Sequence, residues 1–420
     1  MILAKESKPF IPAEVHLKGG FRIVVSIQEP KSLQAEFTID PPDIVSVSNE
    51  TYQNLPVYSP GNGFKNERLR PLIADECCTK GALDPETLVV RAGPGPGDAV
   101  FKPGADYNPD LAWGMFGRTA DGKIGAEQKV YVSYQYVKLR LDSAVLTADG
   151  KIILKRGEPD VRLPQPPALA PGETRLANIF ISGRLKALGE DNLFPVLETA
   201  YPEKPKTRPT QAERWLPKTM AKLQDGEPLK ILSWGDSITA ATKFQVLFVK
   251  GLKARYPRAN ITLITEGWGG HNTDDFLKAA PGALHCYREK VLDQKPDLII
   301  VEFFNDQGFP LPKLEERYTR LQKDFLAIGA EMILVTPLYP RPDSMGFTRN
   351  RDVNDDPRPY TKFLRDFAPE HQIPLADASL RYGRLWRQGI PVITILSNQI
   401  NHPTMQGHQM FADSLLELFP

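Results

Sequence analysis

The sequence predicts two regions of different fold class: an all-β domain of sandwich or jelly-roll type over residues 1–205, and an α/β domain over 229–420. Three observations support this division. A chain of 420 residues exceeds the usual size of one compact core. Short β-branched and aromatic runs separated by Pro and Gly fill the first half. Beyond residue 229, apolar runs of strand length alternate with helical stretches, which predicts a five-stranded parallel sheet in a three-layer sandwich.

The β-rich region consists of strand-like runs with turn residues between them. The clearest of these runs are residues 21–27, 43–48, 87–91 and 129–136. Residues 143–154 form the clearest hairpin, because Asp149-Gly150 supplies the positive φ angles that a tight primed turn requires. We therefore expect antiparallel sheets in this region.

A charged, proline-punctuated segment at 206–228 is predicted to be a linker that contains a short helix. After it, strands and helices alternate to the end of the sequence. The predicted strands are 230–233, 261–264, 298–301, 331–336 and 373–377. The predicted helices are 211–223 in the linker, then 244–252, 274–293, 314–326, 360–367 and 410–418.

The charge balance gives no sign of a nucleic-acid or membrane partner. Lys and Arg total 52 and Asp and Glu total 51, so there is no excess of positive charge for a phosphate backbone. No apolar run approaches the length of about 18 residues that spans a bilayer. We expect a soluble protein whose partner class must be read from its sites, while the oligomeric state is left open.

Cysteine usage and the first residues bear on cofactors and location. Cys77, Cys78 and Cys286 cannot form a disulfide framework and lack the spacing of metal ligands, so neither a metal nor a cofactor is expected. The first residues lack the apolar segment of a signal peptide. We expect a secreted or periplasmic location if such a peptide has been removed, and a cytoplasmic location otherwise.

The stretch from Leu229 to Thr239 carries the first functional indication. An apolar strand there ends in Gly235-Asp236-Ser237 and passes into a helical segment. This places Ser237 at the carboxyl edge of the predicted sheet, where open α/β sheets bind ligands, beside the unpaired N–H groups of a helix start. An Asp-Ser pair before a helix is also an ordinary capping sequence.

The ends of the later strands carry the other groups that acyl transfer requires. Gly270 lies in a glycine-rich turn, Asn305 follows the third strand, and His402 precedes the last helix. A serine attacks, an imidazole moves its proton, and N–H groups stabilise the oxyanion. Taken singly, Gly270 could be a turn glycine and Asn305 a helix cap, and His408 is a rival base.

In all four of these motifs and in their order, residues 229–420 resemble the SGNH (GDSL-type) serine hydrolase family. The resemblance implies a flavodoxin-like fold. It makes Ser237 the nucleophile and His402 the base, with Gly270, Asn305 and the Ser237 N–H as oxyanion-hole donors. We place Gly267, in the same loop as Gly270, among ordinary turn residues.

Two positions depart from the family pattern. Phe303 stands where the family usually has Gly, which predicts a bulkier loop and a narrower pocket. Gln399 stands three residues before His402, where the family usually has Asp. We therefore expect a Ser–His dyad, since a neutral partner can hold the tautomer. The group that orients the histidine is expected to be an amide such as Gln399 or Asn398, a backbone carbonyl, or a carboxylate from elsewhere such as Asp377.

Several side chains near the motifs are candidates for binding substrate, although core packing is an equal alternative for the two tryptophans. Asp306 is also suited to fixing the oxyanion loop, and the charged loop 341–358 is suited to a solvated lid. The candidates are Asp236, Trp234, Trp268, His271, Asp306, Tyr339 and Arg341.

The expected function is that of a serine ester hydrolase that acts on a small-molecule or polysaccharide ester and removes acetyl or other short acyl groups, with a carbohydrate as the expected alcohol part. A β-rich domain before an SGNH domain is similar to the architecture of some carbohydrate acetylesterases, although fold alone does not determine substrate. Two alternatives stand beside it. One is a short-chain carboxylesterase or lipase of broad specificity, and the other is a catalytically weak glycan-binding protein on an SGNH scaffold.

Overall fold

The computed structural model describes residues 11–61, 63–347, 349, 351 and 353–420. These residues form two compact units. The first unit contains the described residues up to Tyr201 together with 349, 351 and 385–401, and the second contains 202–347, 353–384 and 402–420. The predicted boundaries at 205 and 229 stay a prediction, because compact packing does not test which segments fold independently.

The first unit is built from antiparallel sheets. Its strands are β1 (Ala13–Gly19), β2 (Arg22–Ile27), β3 (Leu33–Thr38), β4 (Ile44–Tyr52), β5 (Glu67–Arg68), β6 (Ile73–Ala74), β7 (Cys77–Cys78), β8 (Val89–Arg91), β9 (Tyr107–Asp110), β10 (Met115–Arg118), β11 (Val130–Val137), β12 (Arg140–Leu146), β13 (Ile152–Lys155), β14 (Thr174–Ile181) and β15 (Leu193–Pro195). They pair in the orders β1-β2-β3, β5-β10-β9, β4-β11-β8, β13-β12-β14-β15 and β6-β7. The prediction of a region rich in antiparallel strands is confirmed.

The predicted hairpin is present, but its turn is of a different type. β12 pairs with β13 up to Leu146 and Ile152, and the Thr147 N–H donates to the Lys151 carbonyl. Three residues remain in the loop, and of these only Gly150 has a positive φ, +79°. A three-residue loop needs one left-handed residue, whereas the predicted two-residue primed turn needs two.

The second unit contains a five-stranded sheet in which every neighbouring pair is parallel. Its strands are β16 (Pro228–Gly235), β17 (Asn260–Gly267), β18 (Leu298–Glu302), β19 (Glu331–Val335) and β20 (Leu375–Ala376). The order across the sheet is β17-β16-β18-β19-β20. All five strands were predicted from the sequence, and the α/β fold class is confirmed.

Two predicted helices of the second unit are interrupted in the structure, and the helix Ala378–Gly383 was not predicted. The helices are α1 (Gln211–Trp215), α2 (Pro217–Asp225), α3 (Ser237–Ala240), α4 (Phe244–Arg255), α5 (Thr273–Lys278), α6 (Leu311–Ala327), α7 (Pro359–Glu370), α8 (Ala378–Gly383) and α9 (Met405–Glu417). The helix predicted at 211–223 is broken before Pro217, and the one predicted at 274–293 ends at Lys278 before Pro281-Gly282. Proline disfavours helical geometry in the residue before it, and Gly282 has a φ of +82°.

Helices cover both faces of the parallel sheet. On one face the aromatic side chains of α5, α6 and α7 pack against Trp234 of β16 and the apolar residues of β18 and β19. On the other face α4 and α9 pack together, with the Phe244 and Phe411 rings 5.3 Å apart. These layers leave the carboxyl edge of the sheet to the loops after β16, β17 and β18. No helix in the described ranges is both long and apolar enough to cross a membrane.

Candidate active site

Ser237 is the first residue of α3, directly after the turn that ends β16. The Oδ1 atom of Asp236 caps this helix by accepting a hydrogen bond from the Ile238 N–H at 3.2 Å. Gly235 makes the turn possible, because a Cβ there would lie 2.0 Å from the Glu302 carbonyl oxygen and 2.2 Å from the Thr239 Oγ1. The strand therefore delivers the serine hydroxyl to the carboxyl edge of the sheet.

His402 lies within hydrogen-bonding distance of this serine. Its Nε2 atom is 2.9 Å from the Ser237 Oγ, the geometry that a general base requires. The rival base, His408, is buried in α9 and stacks against Phe244. Burial, together with the charges of Lys243 and His402, lowers the pKa of His408 to about 4. The structure therefore brings His402, and not His408, to the nucleophile.

Three groups are available to stabilise an oxyanion. The N–H groups of Ser237 and Gly270 donate no hydrogen bond to any other residue in the described part of the chain. Gly270 has a φ of +78°, a conformation that favours glycine. The Asn305 Nδ2 donates one hydrogen to the His271 carbonyl at 3.2 Å, which leaves its second N–H for a ligand.

Buried carboxyl groups lie directly behind these donors. Asp236 accepts the Asn305 N–H at 3.0 Å as well as the Ile238 N–H, and burial raises its pKa to about 6 against the effect of these bonds. Burial likewise raises the pKa of Asp306 to about 7, opposed by hydrogen bonds from Thr273 and Tyr318. Both side chains are fully buried, so a direct substrate contact is not supported for either, and the alternative that Asp306 fixes the oxyanion loop stays a prediction.

A third buried acid, Glu302, was not singled out from the sequence. Its Oε2 accepts a hydrogen bond from the Thr239 Oγ1 at 2.9 Å, while its Oε1 has no partner among the described residues. Burial and the neighbouring charge of Asp236 raise the pKa of Glu302 well above its ordinary value. In the sequence, the only indication of Glu302 is that a carboxylate directly follows the apolar run 298–301.

The other side chains predicted to contact substrate divide into buried and partly exposed ones. Trp234 and Tyr339 are buried, so the core-packing alternative describes Trp234 and a direct contact by Tyr339 is not supported. Trp268 stacks between two imidazoles, with ring centroids 3.7 Å from His271 and 4.6 Å from His285. His271 remains 38% exposed, and its Nδ1 lies 3.2 Å from the Asp275 Oδ2; a substrate contact for His271 stays a prediction.

The charged loop that follows β19 carries the last of these candidates. Arg341 forms an ion pair with Asp343 at 3.1 Å, and 18% of its side chain is exposed. A short 3₁₀ turn, Pro342–Met345, follows it. A substrate contact for Arg341 stays a prediction.

Phe303 does not project toward the site. Its ring makes edge contacts with the buried Trp234 and Phe276 rings at centroid distances of 4.8 and 5.7 Å, and its side chain is buried. The expected narrowing of the pocket by this side chain is therefore wrong, because the residue lies on the core-facing side of the strand end. Gly267 is not an ordinary turn residue either, since a Cβ there would lie 2.3 Å from the Ala240 nitrogen.

The residues predicted to orient His402 make hydrogen bonds of their own. Asp377 accepts from Thr336, Ser379 and Arg365, which commits its carboxylate to these partners instead of His402.

The two amides were the other candidates for this role. The Gln399 amide donates to the Arg162 carbonyl. The Asn398 Oδ1 accepts the N–H groups of Ile400 and Asn401 at 2.9 and 2.8 Å. An orienting role for either amide stays a prediction.

Comparisons with known proteins were made against family models, curated proteins and solved structures. Residues 234–410 match the model of the GDSL-like lipase/acylhydrolase family. No curated protein matches the sequence.

Among solved structures, a member of the lipolytic protein G-D-S-L family from Veillonella parvula is 18% identical, covers 46% of this chain and 98% of its own, and has a TM-score of 0.31. A carbohydrate esterase family 3 protein from Talaromyces cellulolyticus is 15% identical, covers 44% of this chain and 93% of its own, and has a TM-score of 0.32. The psychrotrophic esterase EstA from a Pseudoalteromonas species is 20% identical, covers 45% of this chain and 95% of its own, and has a TM-score of 0.32.

The matched segment begins at Trp234, in the strand before the nucleophile turn, and extends past His402 into α9. It therefore contains Ser237, Gly270, Asn305 and His402, the residues on which the resemblance was based. The chain thus carries a GDSL-like lipase/acylhydrolase domain at residues 234–410.

Proposed function

We propose that this chain is a serine ester hydrolase that works through an acyl-enzyme on Ser237. The observation that carries the proposal is the 2.9 Å separation of the Ser237 Oγ from the His402 Nε2. The uncommitted N–H groups of Ser237 and Gly270 and the Asn305 amide supply the donors for the oxyanion.

The chemistry proceeds in two halves. In the first, His402 takes the proton of Ser237 as its oxygen attacks the ester carbonyl carbon, and the negative charge that develops on the carbonyl oxygen is stabilised by the three donors. The tetrahedral species then expels the alcohol, to which His402 returns the proton. In the second half, water repeats the attack on the acyl-enzyme and releases the acid and free Ser237.

The test of the reaction class is covalent labelling of Ser237. We expect an organophosphonate to modify the wild-type protein once per chain at Ser237, with no labelling of Ser237→Ala and little of His402→Ala. Ser237→Ala should also abolish ester hydrolysis. A folded protein that resists the reagent and hydrolyses no ester would instead support the glycan-binding alternative, which the glutamine at position 399 first suggested.

For substrate we propose an acetyl or other short acyl ester of a carbohydrate. Two features support it: the β-rich region that precedes the hydrolase domain, and the polar, partly exposed His271 and Asn272 beside Gly270, which suit an alcohol that carries hydroxyl groups. Rates on acetyl and octanoyl esters, and then on acetylated xylan or glucomannan and aryl acetates, test this. Faster hydrolysis of octanoyl esters would refute the short-acyl assignment and favour a lipase of broad specificity.

A further inference from the structure

The three oxyanion donors come from three different loops. Ser237 follows β16, Gly270 follows β17, and Asn305 follows β18. The strand ladders align Gly235 with Gly267 and with Glu302, and each loop leaves the sheet after these residues. Because an oxyanion site works only when its donors are held at fixed positions, something beyond the sheet must connect the loop tips.

Asp236 connects the first loop to the third. Its two oxygens accept different backbone donors: Oδ1 takes the Ile238 N–H at 3.2 Å and Oδ2 takes the Asn305 N–H at 3.0 Å. The side chain has no exposed surface. One carboxylate therefore sets the spacing between the nucleophile turn and the residue that carries the oxyanion amide.

Asp306 connects the third loop to the second. Its Oδ1 accepts the N–H of Thr273 at 2.9 Å, and the Thr273 hydroxyl lies 3.1 and 3.0 Å from its two oxygens. The hydroxyl of Tyr318 donates to Oδ2 at 3.0 Å, and Tyr360 in turn contacts Tyr318. Thr273 begins α5 directly after the Gly270 loop, so this carboxylate holds that loop against Asn305.

We propose that Asp236 and Asp306 are positioning residues which join the three loops of the oxyanion site into one rigid unit. The inference rests on the proposed function, because it assigns them no chemistry apart from holding the donors for Ser237 acylation. The Asn305 amide closes the arrangement through its 3.2 Å hydrogen bond to the His271 carbonyl, which ties the second and third loops together a second time.

The two carboxylates differ in the kind of donor that they accept from, so the same substitution is expected to affect them differently. Asp236 accepts two backbone N–H groups, which can only donate. In Asp236→Asn the new NH₂ group must face one of them, so one link is lost and the donors repel. Apart from one N–H, Asp306 accepts from the hydroxyls of Thr273 and Tyr318, which can reverse and accept from an NH₂ group. The same substitution is therefore expected to break the Asp236 link and to preserve the Asp306 link.

The experiment compares Asp236→Asn, Asp306→Asn and Asp306→Ala on an aryl acetate. We expect Asp236→Asn and Asp306→Ala to lower kcat by about 10²-fold or more, the usual effect of disabling an oxyanion-hole donor. Asp306→Asn should lose far less, and KM should change little in all three. The control is Asp274→Asn, since Asp274 is also buried at the start of α5 but pairs with Lys278, Lys313 and Arg317; it should retain activity.

A second readout separates positioning from general damage. Each variant is also assayed on the matched thionoester, whose sulfur is a weaker hydrogen-bond acceptor than oxygen and gains less from the donors. If the donors are misplaced, the ester rate falls more than the thionoester rate, and the ratio of the two falls below its wild-type value. Melting temperatures identify any variant that fails to fold. If Asp306→Ala does not fold, the comparison of Asp236→Asn with Asp306→Asn still tests the proposal.

The proposal is overturned if Asp236→Asn keeps wild-type kcat, if both Asn variants lose equal activity, or if the ester-to-thionoester ratio stays constant. These outcomes differ from a failure of the proposed function itself. In that case Ser237→Ala would retain hydrolysis or the wild type would show none.

Discussion

Gly267→Ala tests most directly whether the packing of α3 controls the nucleophile. A Cβ at this position would lie 2.3 Å from the Ala240 nitrogen and 2.5 Å from its Cα. Both are backbone atoms and cannot rotate away. Gly267 is also the last residue of β17 and is paired with Gly235 in the parallel ladder. This pairing keeps the strand from moving away from α3. The strain must therefore move α3.

The size of the movement follows from the contact distance. Restoring the ordinary separation of 3.4 Å from 2.3 Å requires a shift of about 1 Å, and α3 is only four residues long with Ser237 at its start. A misplacement of about 1 Å costs roughly 10²-fold in rate, and overpacking of this kind costs about 1–3 kcal/mol of stability. We expect kcat/KM to fall by about two orders of magnitude while the protein remains folded.

The assay is hydrolysis of an aryl acetate, with the melting temperature of each variant measured alongside. Gly269→Ala is the matched control: it lies in the same loop, and the nearest atom to its added Cβ is the Ser237 Cβ at 3.7 Å, an ordinary contact. It should stay close to wild type. Near-normal kcat/KM in Gly267→Ala, or equal losses in the two variants, would refute the reasoning.

Three further predictions concern the base and the buried acids. Gln399→Ala should reduce kcat far less than His402→Ala, and it should lower stability by about 1 kcal/mol because the Arg162 carbonyl loses its donor; losses of several orders of magnitude in both variants would contradict the dyad. His408→Phe should keep most activity, since burial keeps this imidazole neutral and away from Ser237, and a loss as large as that of His402→Ala would make it the base. The pKa of Asp306 is raised by burial to about 7, so its contribution to stability is full below its unfolded pKa of 3.8 and is lost as the pH rises through 7. In urea unfolding at pH 5 and pH 8, wild type should therefore lose more stability than Asp306→Asn, and parallel losses would show that Asp306 does not titrate in this range.

The strands and the candidate site residues could be predicted because their signals are local. Each parallel strand contains an apolar run, and turn residues follow it at once. Ser237, Gly270 and Asn305 follow the ends of such strands, His402 precedes the last helix, and all four lie within the segment that matches the family model. The resemblance required no knowledge of which residues touch.

Errors arose where a second segment determined the conformation or the surroundings of a residue. Gly267 has the composition of a turn residue, but the approach of Ala240 makes it a packing position. From the sequence, Trp234 could equally line the substrate cleft or pack in the core. In the structure the aromatic side chains of α5 and α6 surround it. The failed helix at 274–293 is a different case, because its Pro281-Gly282 break was visible in the sequence and apolar periodicity was given too much weight.

The sequence by itself determined the order of the five parallel strands, the proposed nucleophile and the four motifs, because hydrophobic periodicity, capping and turn chemistry act over a few residues. Only the tertiary structure decided that Asp236, Glu302 and Asp306 are buried together behind the oxyanion donors. Their partners lie as many as 69 residues away, and burial, which raises their pKa values, is a property of every segment that excludes water from them. A carboxylate has the same appearance in a sequence whether it is solvated or joins two loops.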